Sequence, residues 1–141
     1  MFPPGNYILR CARTPNKKCL VENVETGQLV ESPNEKAVQF KLDYVYTNAD
    51  KSNNTFTLFS IDSSKIVSWK EGVGIGAFDY KIGSTNAIFE IDDVSCLDGA
   101  VTIRLSNYHT GKPLVTFSKK YPGIWANAGQ EGVKFLFEQT Q

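Results

Sequence analysis

The sequence is poor in the residues from which metal centres and many active sites are built. Its 141 residues include three cysteines and one histidine. An odd and low cysteine count excludes a disulfide scaffold as the basis of the fold. There is no Cys-x-x-Cys pair, and His109 is the only imidazole, so no zinc site is expected. Neither charge sign is in excess. Fifteen Lys and Arg balance fifteen Asp and Glu, and the pI near 6.6 gives no electrostatic case for nucleic acid or an anionic membrane surface. A run of about 18 apolar residues, the minimum for a membrane span, is missing. The opening Met1-Phe2-Pro3-Pro4-Gly5 lacks the basic-then-apolar profile of a secretory signal, so a cytoplasmic product is expected.

What is abundant are residues suited to a pleated sheet: nine Phe, six Tyr and many Val, Ile and Thr. Apolar and polar side chains alternate in Tyr7-Ile8-Leu9-Arg10, Phe40-Lys41-Leu42-Asp43 and Phe89-Glu90-Ile91-Asp92. Turn clusters interrupt the alternation about every 8–12 residues, among them Thr14-Pro15-Asn16, Glu25-Thr26-Gly27, Ser32-Pro33-Asn34 and His109-Thr110-Gly111. No helical stripe persists. The length and pattern predict one all-β domain over residues 1–141.

Internal repetition sharpens the fold. Phe40-x-Leu42, Phe89-x-Ile91 and Phe135-x-Phe137 recur at intervals of 49 and 46 residues. Tyr7-x-Leu9, Phe56-x-Leu58 and Val101-x-Ile103, which open the same blocks, recur at 49 and 45. Second strands are expected around Cys19–Val21, Ile66–Trp69 and Pro113–Val115, and third strands near Gln28–Val30, Gly76–Phe78 and Gly123–Trp125. One four-strand unit cannot bury its apolar face alone, whereas three around an axis close a barrel and leave few edges. Twelve strands in three pseudo-threefold repeats, approximately 5–46, 54–96 and 99–141, resemble a β-trefoil. The competing reading is a sandwich with evenly spaced strands. In the trefoil, Phe40, Leu42, Phe89, Ile91, Phe135 and Phe137 should be mostly buried.

No catalytic constellation accompanies this scaffold. His109 lies in Ser106-Asn107-Tyr108-His109-Thr110-Gly111-Lys112, which reads as a hairpin loop rather than a site for a general base. The glycines of Glu71-Gly72-Val73-Gly74-Ile75-Gly76 lack the following helix and the Lys-Ser/Thr of a phosphate loop, and serve better as a turn. Cys11 and Cys19 flank a polar loop, so a bridge between them is open to geometry, with reduced thiols the reading that a cytoplasmic setting favours. Cys96 has no evident partner. The chain is therefore expected to be a monomer without enzymatic activity, cofactor or metal, and to act through its loops.

Phe2-Pro3-Pro4-Gly5-Asn6-Tyr7-Ile8-Leu9 resembles the Gly-x-Tyr-x-Ile/Leu opening of small cytoplasmic fungal trefoils. These include the mycocypin-like cysteine-protease inhibitors and related serine-protease inhibitors, with fungal trefoil lectins as neighbours. The resemblance implies protease inhibition through surface loops, with a trypsin-like, papain-like or legumain-like partner. In related Kunitz-type trefoils the reactive loop joins the fourth and fifth strands. The matching segment here, Tyr46 to Asn54, offers Lys51 for an acidic trypsin-like pocket and Asn48 for an asparagine-specific one, although its polar composition reads first as a solvated turn. Mycocypin-type inhibitors use the first-to-second and third-to-fourth connections as a wedge. Their positions here carry Arg13, Lys17 and Lys18, with Pro15 between them, and Pro33 and Asn34. Lys65, Lys112 and Lys119 are further basic anchors. The alternative implied function is ricin-B-like carbohydrate binding. The Gln-x-Trp motif of that family is missing, and only Tyr121, Trp125 and Asn127 approach its sugar site.

Overall fold

The computed structural model describes residues 2–32, 36–45, 55–80, 84–106, 113–117, 123–126 and 131–140. These residues hold twelve strands: β1 (Gly5–Cys11), β2 (Cys19–Glu22), β3 (Leu29–Ser32), β4 (Phe40–Tyr44), β5 (Thr55–Ser60), β6 (Lys65–Lys70), β7 (Gly74–Phe78), β8 (Phe89–Val94), β9 (Val101–Leu105), β10 (Val115–Phe117), β11 (Ile124–Ala126) and β12 (Phe135–Thr140). The helical content among them is two single 3₁₀ turns, Pro15–Lys17 and Thr85–Ala87.

Six strands close a ring. β1 pairs with β4 and β12, β4 with β5, β5 with β8, β8 with β9, and β9 with β12, all antiparallel. The remaining six form three hairpins, β2–β3, β6–β7 and β10–β11. Closure satisfies the backbone groups that an open sheet edge would leave unpaired. The arrangement is all-β and β-trefoil-like, and it is not two stacked sheets.

The periodicity in sequence reappears as packing. Leu9, Leu58 and Ile103 are buried together with Leu20, Val67 and Val115, with Leu29, Ile75 and Ile124, and with Phe40, Phe89 and Phe135. Most of these side chains line one residual void of about 10 Å³, whose wholly apolar lining offers a water no hydrogen-bond partner. One backbone hydrogen bond also recurs at each repeat: Ala12 N to Lys134 O at 2.8 Å, Ile61 N to Gln39 O at 3.0 Å, and Ser106 N to Ile88 O at 2.8 Å.

The expected core positions divide. Phe40, Leu42, Phe89 and Phe135 are buried, whereas Ile91 and Phe137 are only half-buried and pack on the rim of the core. Phe137 is covered by the N-terminal segment, its ring stacked on Phe2 at 4.6 Å. Ile91 directly precedes the β-bulge at which β8 leaves register with β9. Where the hairpins meet, backbone approaches backbone: a methyl group at Gly76 would lie 2.5 Å from the carbonyl oxygen of Gly27. That contact is why β7 reads Gly74-Ile75-Gly76-Ala77-Phe78 and is buried along its whole length.

Candidate functional site

Of the expected wedge loops, the connection from β1 to β2, Ala12–Lys18, lies wholly among the described residues. Thr14 clasps it from within. Its hydroxyl donates to Cys11 O at 3.0 Å and accepts from Lys18 N at 3.3 Å, while Lys17 N donates to Thr14 O at 3.1 Å. Ala12 N ties the loop to Lys134 O of the connection before β12. Arg10, fixed on Glu138 at 2.8 Å, reaches Lys17 O at 3.5 Å. Asn16 and Lys17 adopt left-handed backbone, at φ 63° and 45°. Asn tolerates that region, but Lys does so at a cost, and such conformations persist only where surrounding bonds over-determine them.

A second segment joins this loop. Arg13 Nη1 lies 2.5 Å from Asp98 Oδ2, in the turn between β8 and β9. Arg13, with a further bond from Ala100 N, holds the Asp98 carboxyl down at about 2. Arg13 and Lys17 are exposed and Lys18 is half-buried.

The turn Ser95–Ala100 was not marked as functional by its sequence, yet it repeats the turn between β2 and β3. Asn23 Oδ1 accepts from Glu25 N at 2.9 Å, Thr26 Oγ1 from Gln28 N at 3.2 Å, and Gly27 N donates to Asn23 O at 2.8 Å. In the same places Ser95 Oγ accepts from Leu97 N at 3.3 Å, Asp98 Oδ1 from Ala100 N at 3.1 Å, and Gly99 N donates to Ser95 O at 3.0 Å. Gly27 and Gly99 close the turns at φ +80° and +73°, which explains the shared pattern of Asn/Ser, two residues, Thr/Asp and Gly. Each turn lifts one aliphatic side chain into solvent: Val24 is 98% exposed and Leu97 94%. That spacing is the signal by which the second segment is legible.

Of the other expected site residues, Pro33, Asn34, Asn48, Lys51, Tyr121 and Asn127 lie outside the described residues, as do His109, Lys112 and Lys119. Trp125 is half-buried at the hairpin junction, its ring 5.0 Å from that of Trp69 and tilted by 59°. Lys65 pairs loosely with Asp79 at 3.8 Å. Cys11 and Cys19 are buried and unbridged, and Cys96 is exposed. Burial, with the carboxylate of Glu31 beside it, pushes the Cys11 thiol up to about 12. An open groove of about 530 Å³ separates the β2–β3 turn from the β6–β7 hairpin. Phe78 and Tyr80 meet edge to face in its wall, with Lys70 Nζ 5.3 Å from the Phe78 ring centre.

No protein-family model matches the chain, and no curated protein matches it by sequence. Solved structures with the same arrangement do. A designed three-fold symmetric protein, ThreeFoil, is similar with a TM-score of 0.67 at 17% identity, over 96% of this chain and 99% of that one. A salivary protein from Culex quiquefasciatus, of the Cysteine and Tryptophan-Rich family, is similar with a TM-score of 0.68 at 9% identity, over 99% of this chain and 96% of that one. At such identities the likeness concerns the fold, and the fold is β-trefoil-like.

Proposed function

We propose that the chain is a β-trefoil of three repeats, 5–46, 54–96 and 99–141, that inhibits a protease through surface loops and has no catalytic activity of its own. The observation that carries this reading is the bracing of Ala12–Lys18: an exposed basic loop tied to its own ends, to the start of β12 and, through Arg13 and Asp98, to a second loop. An inhibitor draws its affinity from pre-organisation together with an anchor side chain, because a loop already fixed in its bound shape loses little entropy on docking. The backbone here is not the extended strand of a substrate. Left-handed Asn16 and Lys17 make the loop a plug for a cleft rather than a peptide to be cut.

The test is a panel of trypsin, chymotrypsin, papain and legumain titrated with the protein. Stoichiometric inhibition of at least one, weakened when Thr14→Ala releases the loop, supports the reading; absence of inhibition across the panel refutes it. Carbohydrate binding is the second reading, and the groove in which half-buried Tyr80 stands against buried Phe78 favours it, since sugars stack on aromatic rings between polar groups. Glycan-array binding lost in Tyr80→Ala, without protease inhibition, would transfer the assignment.

A further inference from the structure

Within the paired-loop surface, one large side chain is left wholly uncovered. Leu97 stands at the tip of the β8–β9 turn, 94% exposed, and Val94 at the end of β8 is 53% exposed. A lone exposed leucine on a mobile loop calls for no explanation. This one is held by Ser95 Oγ on its own amide, by the closing bond of Gly99 to Ser95 O, and by the anchoring of its neighbour Asp98 to Arg13. Its position is thus fixed relative to the strained basic turn at Asn16–Lys17. The basic residue that would otherwise serve as anchor, Arg13, is committed to Asp98. Drawing it into an acidic pocket would break the tie that holds the two loops together.

We infer that Leu97 is the anchor of the inhibitory surface and that its target is a protease with an apolar specificity pocket. This inference rests on the inhibitor reading and names the class of enzyme within it. A chymotrypsin-type pocket, a hydrophobic slot, accepts such a side chain, whereas the aspartate at the base of a trypsin-type pocket selects a cation. Hot-spot behaviour is expected of Leu97 and of few other residues, because a fully desolvated apolar anchor dominates such contacts. Val24 supplies an internal control: it is an equally exposed aliphatic side chain on the same kind of turn, one place earlier than Leu97, and its turn is not joined to Ala12–Lys18 by an ion pair among the described residues.

The experiment titrates chymotrypsin, trypsin and papain with the wild-type protein, with Leu97→Ala, Leu97→Lys and Val24→Ala, and with wild type alkylated at the exposed Cys96 by a bulky maleimide. Chymotrypsin should be inhibited. Leu97→Ala should weaken that inhibition by at least about twentyfold, the mark of a hot spot. Alkylation next to the tip should abolish it, and Leu97→Lys should shift preference toward trypsin. Val24→Ala should match wild type. Thermal melts confirm that each variant is folded. If a protease is inhibited equally by wild type, Leu97→Ala and the alkylated protein, the Leu97 inference falls and the inhibitor reading stands. Inhibition of none of the three enzymes by wild type overturns the inference, and legumain then decides whether the inhibitor reading falls with it.

Discussion

Arg13 and Asp98, 85 residues apart in sequence, meet at 2.5 Å and join the loop after β1 to the turn before β9. The pair lies at the surface, where ion pairs add little to global stability. Its consequence is local: it fixes one loop against another.

The acid limit of this link follows from the Asp98 carboxyl. Its ordinary value is 3.8 and in the folded chain it stands at about 2, so the folded state holds the charged form more tightly. A depressed carboxyl stabilises above its unfolded value and loses that contribution as pH falls through the folded one. Urea midpoints of wild type and Asp98→Asn should therefore differ above pH 4 and converge between pH 4 and 2. A gap that stays constant down to pH 2 would show that the pair has no thermodynamic linkage.

The Cys11 thiol gives the opposite sign at the other end of the scale. Cys11, at about 12 when folded against an ordinary value of 9.0, stays protonated where the unfolded chain ionises. Its contribution is complete below pH 9 and is lost as pH rises from 9 to 12. Buried Tyr7 and half-buried Tyr44, both raised mainly by desolvation, act in the same direction, so the Cys11 share is the difference between wild type and Cys11→Val. At neutral pH a disulfide reagent should titrate one thiol, Cys96, in the native protein and three in urea. Two rapidly reacting native thiols would contradict the burial of Cys11 and Cys19.

Core substitutions should grade with position in the barrel. Phe89 is fully buried beside the axial void, and Phe89→Ala should cost about 3–5 kcal/mol. Phe137, half-buried beneath Phe2, should lose distinctly less, since part of its surface is already in water. Equal costs in chemical denaturation would mean that the N-terminal segment seals the barrel more tightly than the exposure of Phe137 shows.

Gly76→Ala tests the junction between hairpins. The added methyl would meet Gly27 O at 2.5 Å and Gln28 Cα at 2.8 Å, both backbone atoms that cannot swing aside. Overpacking of this kind costs about 1–3 kcal/mol. A melting temperature equal to that of wild type would show that the β2–β3 and β6–β7 hairpins separate freely.

Much of this architecture was legible in sequence because a closed barrel repeats its demands. Tyr7, Phe56 and Val101 open equivalent strands, and Phe40, Phe89 and Phe135 enter the same layer, so identical environments select similar residues at near-constant spacing. The rim is less uniform, and there Ile91 and Phe137 departed from expectation. Loops carry no such periodicity. Arg13 was visible as a candidate by its charge and its neighbour Pro15, but a pairing with Asp98 across 85 residues leaves no local trace. Leu97 was overlooked because an exposed aliphatic residue in a turn has no polar signature; its trace in the sequence is the Asn/Ser, two residues, Thr/Asp and Gly pattern that Ser95–Gly99 shares with Asn23–Gly27, whose meaning the matching hydrogen bonds bring out.

Whether Arg13 works by bracing or by entering a protease pocket is decided by a double-mutant cycle. If its role is to hold the two loops together, Arg13→Ala and Asp98→Ala each remove the same contact. They should then weaken inhibition of the target protease by similar factors, and the double variant should be little worse than either single one, the non-additivity of residues that share one interaction. The loss should appear mainly as faster dissociation, as is usual when an interface loses organisation rather than steering. A guanidinium that instead occupies an acidic pocket must leave Asp98 to do so. In that case Arg13→Ala would weaken inhibition strongly while Asp98→Ala, by freeing the side chain, would leave it unchanged or improve it. The geometry at 2.5 Å predicts the first pattern, and equal effects of the two single variants on the measured inhibition constant are its signature.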